Sequence, residues 1–65
     1  MGNTLSRIYQ LVEEKGGLPG RMKLAQATGV TQQQAAEAKD KAETVKRFKK
    51  AATEILGIDI NELLK

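Results

Sequence analysis

Four apolar residues near the N-terminus recur at helical spacing, at positions i, i+3, i+4 and i+7. They are Leu5, Ile8, Tyr9 and Val12. This spacing predicts a helix with one apolar face. Asn3 or Thr4 is suited to cap its N-terminus. Gly16 and Gly17 are expected to end it, because two consecutive glycines are costly inside a helix.

Residues 16–20 read Gly-Gly-Leu-Pro-Gly and predict a connector. Leu18 is its only apolar residue and is expected to fill the core. Pro19 suits a turn or the first turn of the following helix. That second helix is predicted to be short, over about residues 20–28. Its expected inward-facing residues are Met22 and Ala25, with Leu24 as a further candidate.

A tight turn is predicted after the second helix. Gly29 is expected to adopt the left-handed conformation that commonly ends a helix, with Val30 as the apolar residue behind it. Thr31 then opens a third helix, since Thr31 and Gln34 have the Ser/Thr-x-x-Glu/Gln spacing of a capping box.

Two interpretations are open for the region that follows. Its apolar residues recur at steps of three or four, at Ala35, Ala38, Ala42, Val45, Phe48, Ala52 and Ile55. This pattern fits one long helix that ends at Leu56. Alternatively, the helix breaks near Lys39 and restarts at the box-like pair Asp40 and Glu43. We favour the break, because a single helix of this length is unusual in so small a domain.

The C-terminal segment is expected to form one last helical turn or two. Gly57 ends the preceding helix, and Asp59 with Glu62 starts the new one. The segment is rich in aliphatic side chains that would leave a large exposed apolar area. It must therefore dock on this chain or on another one. The candidate protein-interface residues are Ile58, Ile60, Leu63 and Leu64.

The elements together predict an all-α fold, a small bundle of four to five short helices in a single domain over residues 1–65. No alternating β-branched segment predicts a strand. With 65 residues there is room for one domain only. Tyr9 and Phe48 are the only aromatic residues, so the core is thin. A second chain is expected to supply part of the missing burial.

The composition argues against several chemistries. There is no cysteine and no histidine, which disfavours a zinc module, a disulfide scaffold and most nucleophilic enzymes. The carboxylates fall mostly at capping or solvent-facing positions rather than in a predicted cleft. The glycine-rich connector lacks the Gly-Lys-Ser/Thr of a phosphate-binding loop. We therefore predict no enzyme, no cofactor and no metal.

The charge is modest but locally concentrated. Eleven Lys and Arg against eight Asp and Glu give a net charge of +3. A basic cluster lies in the predicted helix 41–56, where four of five consecutive residues are Lys46, Arg47, Lys49 and Lys50. Lys46 and Lys50, with Lys39 before the helix and Arg47 beside them, are expected on the side opposite the apolar residues. That face suits solvent, a phosphate or a membrane surface.

The chain shows no apolar run long enough for a membrane span and no secretory signal, so a cytoplasmic location is expected. Residues 1–6, Met-Gly-Asn-Thr-Leu-Ser, also fit the consensus for myristoylation of Gly2. A membrane-tethered protein acylated at Gly2 is therefore a further hypothesis.

Residues 22–38 resemble the helix-turn-helix family of DNA-binding domains. Leu24-Ala25 matches the apolar and small residues of its first helix, Gly29-Val30 its turn, and Thr31 the cap of its second helix. The resemblance implies that Thr31, Gln32, Gln33 and Ala36 face the major groove, where glutamine can pair with adenine. The phosphate contacts it implies come from Arg21, Lys23, Lys39, Lys46, Arg47 and Lys50.

The function predicted from the residues is a non-enzymatic helical module that acts through its surface, by self-association or by binding another protein. The alternative is a helix-turn-helix DNA-binding protein. A nucleic-acid partner is possible but not favoured.

Overall fold

The computed structural model describes residues 3–39 and 41–64, and all regular structure in them is helical. The four helices are α1 (Thr4–Thr28), α2 (Gln32–Glu37), α3 (Ala42–Leu56) and α4 (Ile60–Leu64). The predicted all-α class is confirmed.

Helix α1 is bent at Gly17 into a first arm, residues 4–16, and a second arm, residues 18–28. Gly17 has φ 68° and ψ −165°, a backbone conformation that is essentially restricted to glycine. The prediction of a five-residue connector is therefore wrong, because the helical conformation is interrupted at one residue only. Pro19 falls in the first turn of the second arm, where its missing N–H is tolerated.

The bend also sets which face of the second arm is buried. Gly20, Leu24 and Thr28 recur every four residues and form its buried face. Leu18 and Met22 lie about 120° and 160° around the helix axis from the middle of that face, at 100° per residue. They are 54% and 56% exposed, so the expectation that both point into the core is wrong.

The turn between α1 and α2 has the predicted chemistry. Gly29 is left-handed at φ 72°, and its N–H donates to the carbonyl of Ala25 at 2.8 Å. The capping box is complete. The Gln34 N–H donates to Thr31 Oγ1 at 3.1 Å, and the Thr31 N–H donates to Gln34 Oε1 at 3.0 Å.

The helical pattern after Thr31 is divided, as favoured from the sequence. Helix α2 ends at Glu37 and α3 begins at Ala42, so the break near Lys39 is confirmed. Lys41 occupies the N-cap position of α3 and makes no side-chain capping bond. Asp40, the first residue of the predicted Asp40–Glu43 pair, lies outside the described residues.

The core is formed mainly where the arms of α1 pack against α3. The rings of Tyr9 and Phe48 meet edge to face, with centroids 5.8 Å apart and planes at 62°. Helices α2 and α4 add one fully buried side chain each, Ala35 and Ile60. The remaining fully buried side chains are Leu5, Ile8, Val12, Leu24 and Ala52.

The C-terminal segment docks on its own chain. Gly57 ends α3 in the left-handed conformation at φ 68°, and the Ile60 N–H donates to Thr53 Oγ1 at 3.0 Å. Ile60 is fully buried, and Leu63 and Leu64 pack against the core half-buried. Of the two predicted alternatives, folding back onto the chain is therefore the one observed.

Candidate functional site

Residues 18–37 form a helix, a turn and a second helix. The residues predicted to contact bases, Thr31, Gln32 and Gln33, are all exposed at the N-terminus of α2. Ala35 is fully buried and Ala38 is half-buried against the core, so both lie on the inner side of this segment. However, α2 has only six residues, it carries no Lys or Arg, and it includes the acidic Glu37.

Hydrogen bonds from the first arm of α1 hold this segment in place. The side chain of Asn3 accepts a bond from the Ser6 N–H at 2.7 Å, which caps α1. Its Nδ2 also donates to the carbonyls of Ala35 and Ala38, at the C-terminus of α2. The sequence predicted the first role of Asn3 but not the second, which depends on how the helices are arranged in space.

Tyr9 fixes the turn itself. Its hydroxyl donates to the carbonyl of Val30. The Thr28 hydroxyl donates to the carbonyl of Leu24 at 2.8 Å and accepts from the Val30 N–H at 3.3 Å. Burial raises the pKa of Tyr9, while Thr28 and the positive charge of Arg21 act in the opposite direction.

Two of the predicted nucleic-acid contacts are bonded to each other. Arg21 Nη1 lies 3.1 Å from Gln32 Oε1 and 3.6 Å from Glu13 Oε1. Arg21 was expected to contact a phosphate and Gln32 a base. Because these bonds are solvent-exposed they are weak, and the side chains remain accessible.

The predicted phosphate-contacting residues are spread over separate elements. Arg21 and Lys23 lie on the second arm of α1, and Lys39 lies after α2. The others lie on α3, where Lys46, Arg47 and Lys50 are exposed. Helix α2 packs against α1, and in the described residues no α-carbon of α2 lies within 8 Å of one in α3. The basic cluster is therefore not part of the helix-turn-helix segment.

A groove of about 540 Å³ runs between α3 and α4, and we call it the α3–α4 groove. It is lined by Ala42, Val45, Lys46, Lys49 and Asn61. The four α3 residues stand at i, i+3, i+4 and i+7, which is one continuous stripe along the helix. Sequence reasoning identified the two lysines but not the groove, since Asn61 reaches it only through the docking of α4.

Among residues 3–39 and 41–64, three large apolar side chains are exposed. Leu18 and Met22, which we call the apolar pair, lie one helical turn apart on the second arm of α1. Ile58, 47% exposed, follows the end of α3. That end lies beside the bend in α1, because a Cβ placed on Gly16 would be 3.3 Å from Leu56 Cδ2.

In residues 3–39 and 41–64, no three acidic side chains lie together where they could hold a metal ion. No helix in that part of the chain is long and apolar enough to cross a membrane. Gly2, the candidate acylation position, lies outside the described residues.

Comparison of the chain with protein-family models, curated proteins and solved structures found no match. The helix-turn-helix resemblance therefore stays a prediction based on the residues of this chain.

Proposed function

We propose that this protein is a non-enzymatic helical module that acts by associating with proteins, first with a second copy of itself and alternatively with another chain. The observation that supports this proposal is the exposure of the apolar pair, Leu18 and Met22.

The apolar pair contrasts with the rest of the molecule. The largest fully buried side chains, led by Tyr9 and Phe48, are completely removed from solvent. Leu18 and Met22 are each more than half exposed and share one side of a helix. Complete burial of an exposed Leu or Met side chain contributes about 1.5–3 kcal/mol. About half of each side chain of the pair is still exposed, so covering both favours association by roughly half of that amount per residue.

A second copy is a suitable partner for this face. Two residues one turn apart can meet the same two residues of another copy across a two-fold axis, which is the commonest symmetry of protein dimers. The exposed charges nearest in sequence are of both signs, with Glu14 and Lys15 before Leu18 and Lys23 after Met22. Pairing of two copies therefore does not bring together two surfaces of the same charge.

Sedimentation equilibrium over a range of protein concentrations tests the proposal. We expect the unmodified protein to self-associate and the double variant Leu18→Ser/Met22→Ser to be monomeric. Both positions are exposed, so the variant is expected to keep its helical circular dichroism. The matched control, Lys23→Ser/Ala27→Ser, changes two exposed residues that are one turn apart on another side of the same arm, and it should associate like the unmodified chain. Self-association that survives in the double variant would contradict the proposed surface.

DNA binding is the second candidate, and one observation favours it. A left-handed glycine turn and a complete capping box present Thr31, Gln32 and Gln33 to solvent at the start of α2. This is the placement that recognition residues need. Most of the phosphate affinity would have to come from α1 and α3.

Fluorescence anisotropy with duplex DNA tests the second candidate. Lys46→Ala and Lys50→Ala should weaken binding to every sequence alike and reduce the salt dependence, whereas Gln32→Ala and Gln33→Ala should reduce sequence preference. Absence of any binding to random duplex at about 50 mM salt, where non-specific affinity is high, would exclude this function.

A further inference from the structure

We infer that the α3–α4 groove binds an acidic, partly apolar peptide segment of a partner protein. The inference rests on the proposed protein-binding function, but it concerns a surface that does not include the apolar pair. It follows from the shape of the groove, its apolar lining and its charge.

The shape of the groove fits a peptide. Its four α3 residues extend from Ala42 to Lys49, two helical turns or about 10 Å at 1.5 Å per residue. Asn61 of α4 lines it as well. The volume of about 540 Å³ lies in the range of sites that hold a ligand. A groove that presents apolar side chains on a helical surface is the kind of site that receives an amphipathic segment.

The lining provides an apolar contact. Val45 is only half-buried although it packs against the core, and Ala42 is exposed. An aliphatic side chain of a ligand placed against Val45 would remove apolar surface of both molecules from water. A nucleic-acid backbone offers no such group, so the apolar lining favours a peptide.

The charge selects an acidic ligand. Lys46 and Lys49 line the groove, and neither is ion-paired with a described residue. Lys49 is half-buried, so part of its aliphatic stem packs against the protein beside the groove. The net charge of +3 also favours the approach of an acidic segment.

The test uses a fluorescein-labelled peptide of alternating glutamate and leucine blocks, with a control peptide in which glutamine replaces every glutamate. Anisotropy titrations are made with the full chain. We expect the acidic peptide to bind and the glutamine peptide to bind at least about tenfold more weakly, because the charge contacts are lost.

Charge reversal locates the site. Lys46→Glu and Lys49→Glu are each expected to reduce the affinity for the acidic peptide by about tenfold. Lys50→Glu is the matched control, since it changes the net charge equally from an exposed position of α3 that does not line the groove. It should weaken binding by less than about threefold, through screened long-range attraction only.

A further variant keeps the inference testable if a lysine variant fails to fold. Ala42→Glu places a carboxylate in the groove at the first residue of α3, where a negative charge favours the helix. It should abolish peptide binding while helical circular dichroism is retained. Amide shifts in ¹⁵N-labelled protein should centre on residues 42–49 and on Asn61.

Three results would overturn the inference. If Lys50→Glu and Lys49→Glu reduced the peptide affinity equally, the binding would be general charge attraction. Amide shifts centred on Leu18 and Met22 would place the peptide on the apolar pair. Duplex DNA that displaces the peptide and binds more tightly would make the groove a phosphate site. The apolar pair is tested separately, by self-association. If the peptide does not bind the groove, the self-association result still stands. If the chain does not self-associate, peptide binding can still be measured.

Discussion

Gly29 shows how a single residue determines the turn between α1 and α2. Its φ of 72° lies in the left-handed region, and a Cβ placed on it would meet no atom within 4 Å. The penalty for a larger side chain is therefore conformational, because there is no steric clash with neighbours. A substitution at Gly29 therefore measures the backbone effect without a change in packing.

Gly29→Val is expected to lower the free energy of unfolding by about 1–2 kcal/mol, and Gly29→Asn by less, because Asn tolerates the left-handed conformation. Urea denaturation of both variants and the unmodified chain measures the difference. Equal stability of the two variants would contradict the C-cap role of Gly29.

Asn3 joins two helices, and its two roles can be separated. Asn3→Asp keeps an oxygen that can accept the Ser6 N–H but removes the donor to the carbonyls of Ala35 and Ala38. We expect it to lower the free energy of unfolding by about 1 kcal/mol or more, since both carbonyls lose the Asn3 donor and face a carboxylate. Asn3→Ala should lose the cap as well. If Asn3→Asp were as stable in urea as the unmodified chain, the bonds to α2 would not contribute.

Ionisation of Tyr9 is expected to lower the free energy of unfolding at alkaline pH. Burial raises its pKa in the folded chain, so the unfolded chain, with a tyrosine pKa of about 10, loses the proton first. The stabilisation that comes from this difference in pKa is complete below about pH 10. It is lost as the pH rises through the pKa of Tyr9 in the folded chain.

Tyr9 is the only tyrosine, so near-ultraviolet absorbance of tyrosinate reports its ionisation alone. The midpoint should be higher in the folded chain than in concentrated urea. Equal midpoints would mean that the folded chain does not favour the neutral phenol.

At the scale of the element, the bend at Gly17 determines what the second arm of α1 exposes. Gly17 adopts φ 68° and ψ −165°, and the nearest atom to a Cβ placed there, Pro19 Cδ, is 3.7 Å away. The obstacle to a larger residue is therefore backbone strain. The buried face of Gly20, Leu24 and Thr28 depends on this angle.

Gly17→Ala is expected to lower the free energy of unfolding by about 1–3 kcal/mol, because alanine does not readily adopt this conformation. In an uninterrupted helix the same change would stabilise by up to about 1 kcal/mol. The sign of the change in urea denaturation therefore distinguishes a bent α1 from a straight one.

The features that the sequence predicted correctly are local ones. The left-handed Gly29, the capping box of Thr31 and Gln34, and the break near Lys39 depend on residues within a few positions of each other. The predicted orientation of Leu18 and Met22 was wrong, because the orientation observed follows from the torsion angles of Gly17. The α3–α4 groove was missed, because it needs Asn61 beside α3, and only the tertiary fold places it there.

At the scale of the whole molecule, the core closes within one chain while the apolar pair is left outside it. Ile60 fills the core from α4, so this residue needs no partner chain for its burial. Ile58, in the same C-terminal segment, is still 47% exposed. The proposal of association is based on Leu18 and Met22, which are more exposed and which the sequence had assigned to the core.

The most direct test of this account is the urea midpoint of unfolding measured as a function of protein concentration, for the unmodified chain and for Leu18→Ser/Met22→Ser. Association of folded chains stabilises them by mass action, so the midpoint of the unmodified chain should rise with concentration. The midpoint of the double variant should not change. A midpoint that is independent of concentration in the unmodified chain, or that rises equally in both proteins, would contradict association through the apolar pair.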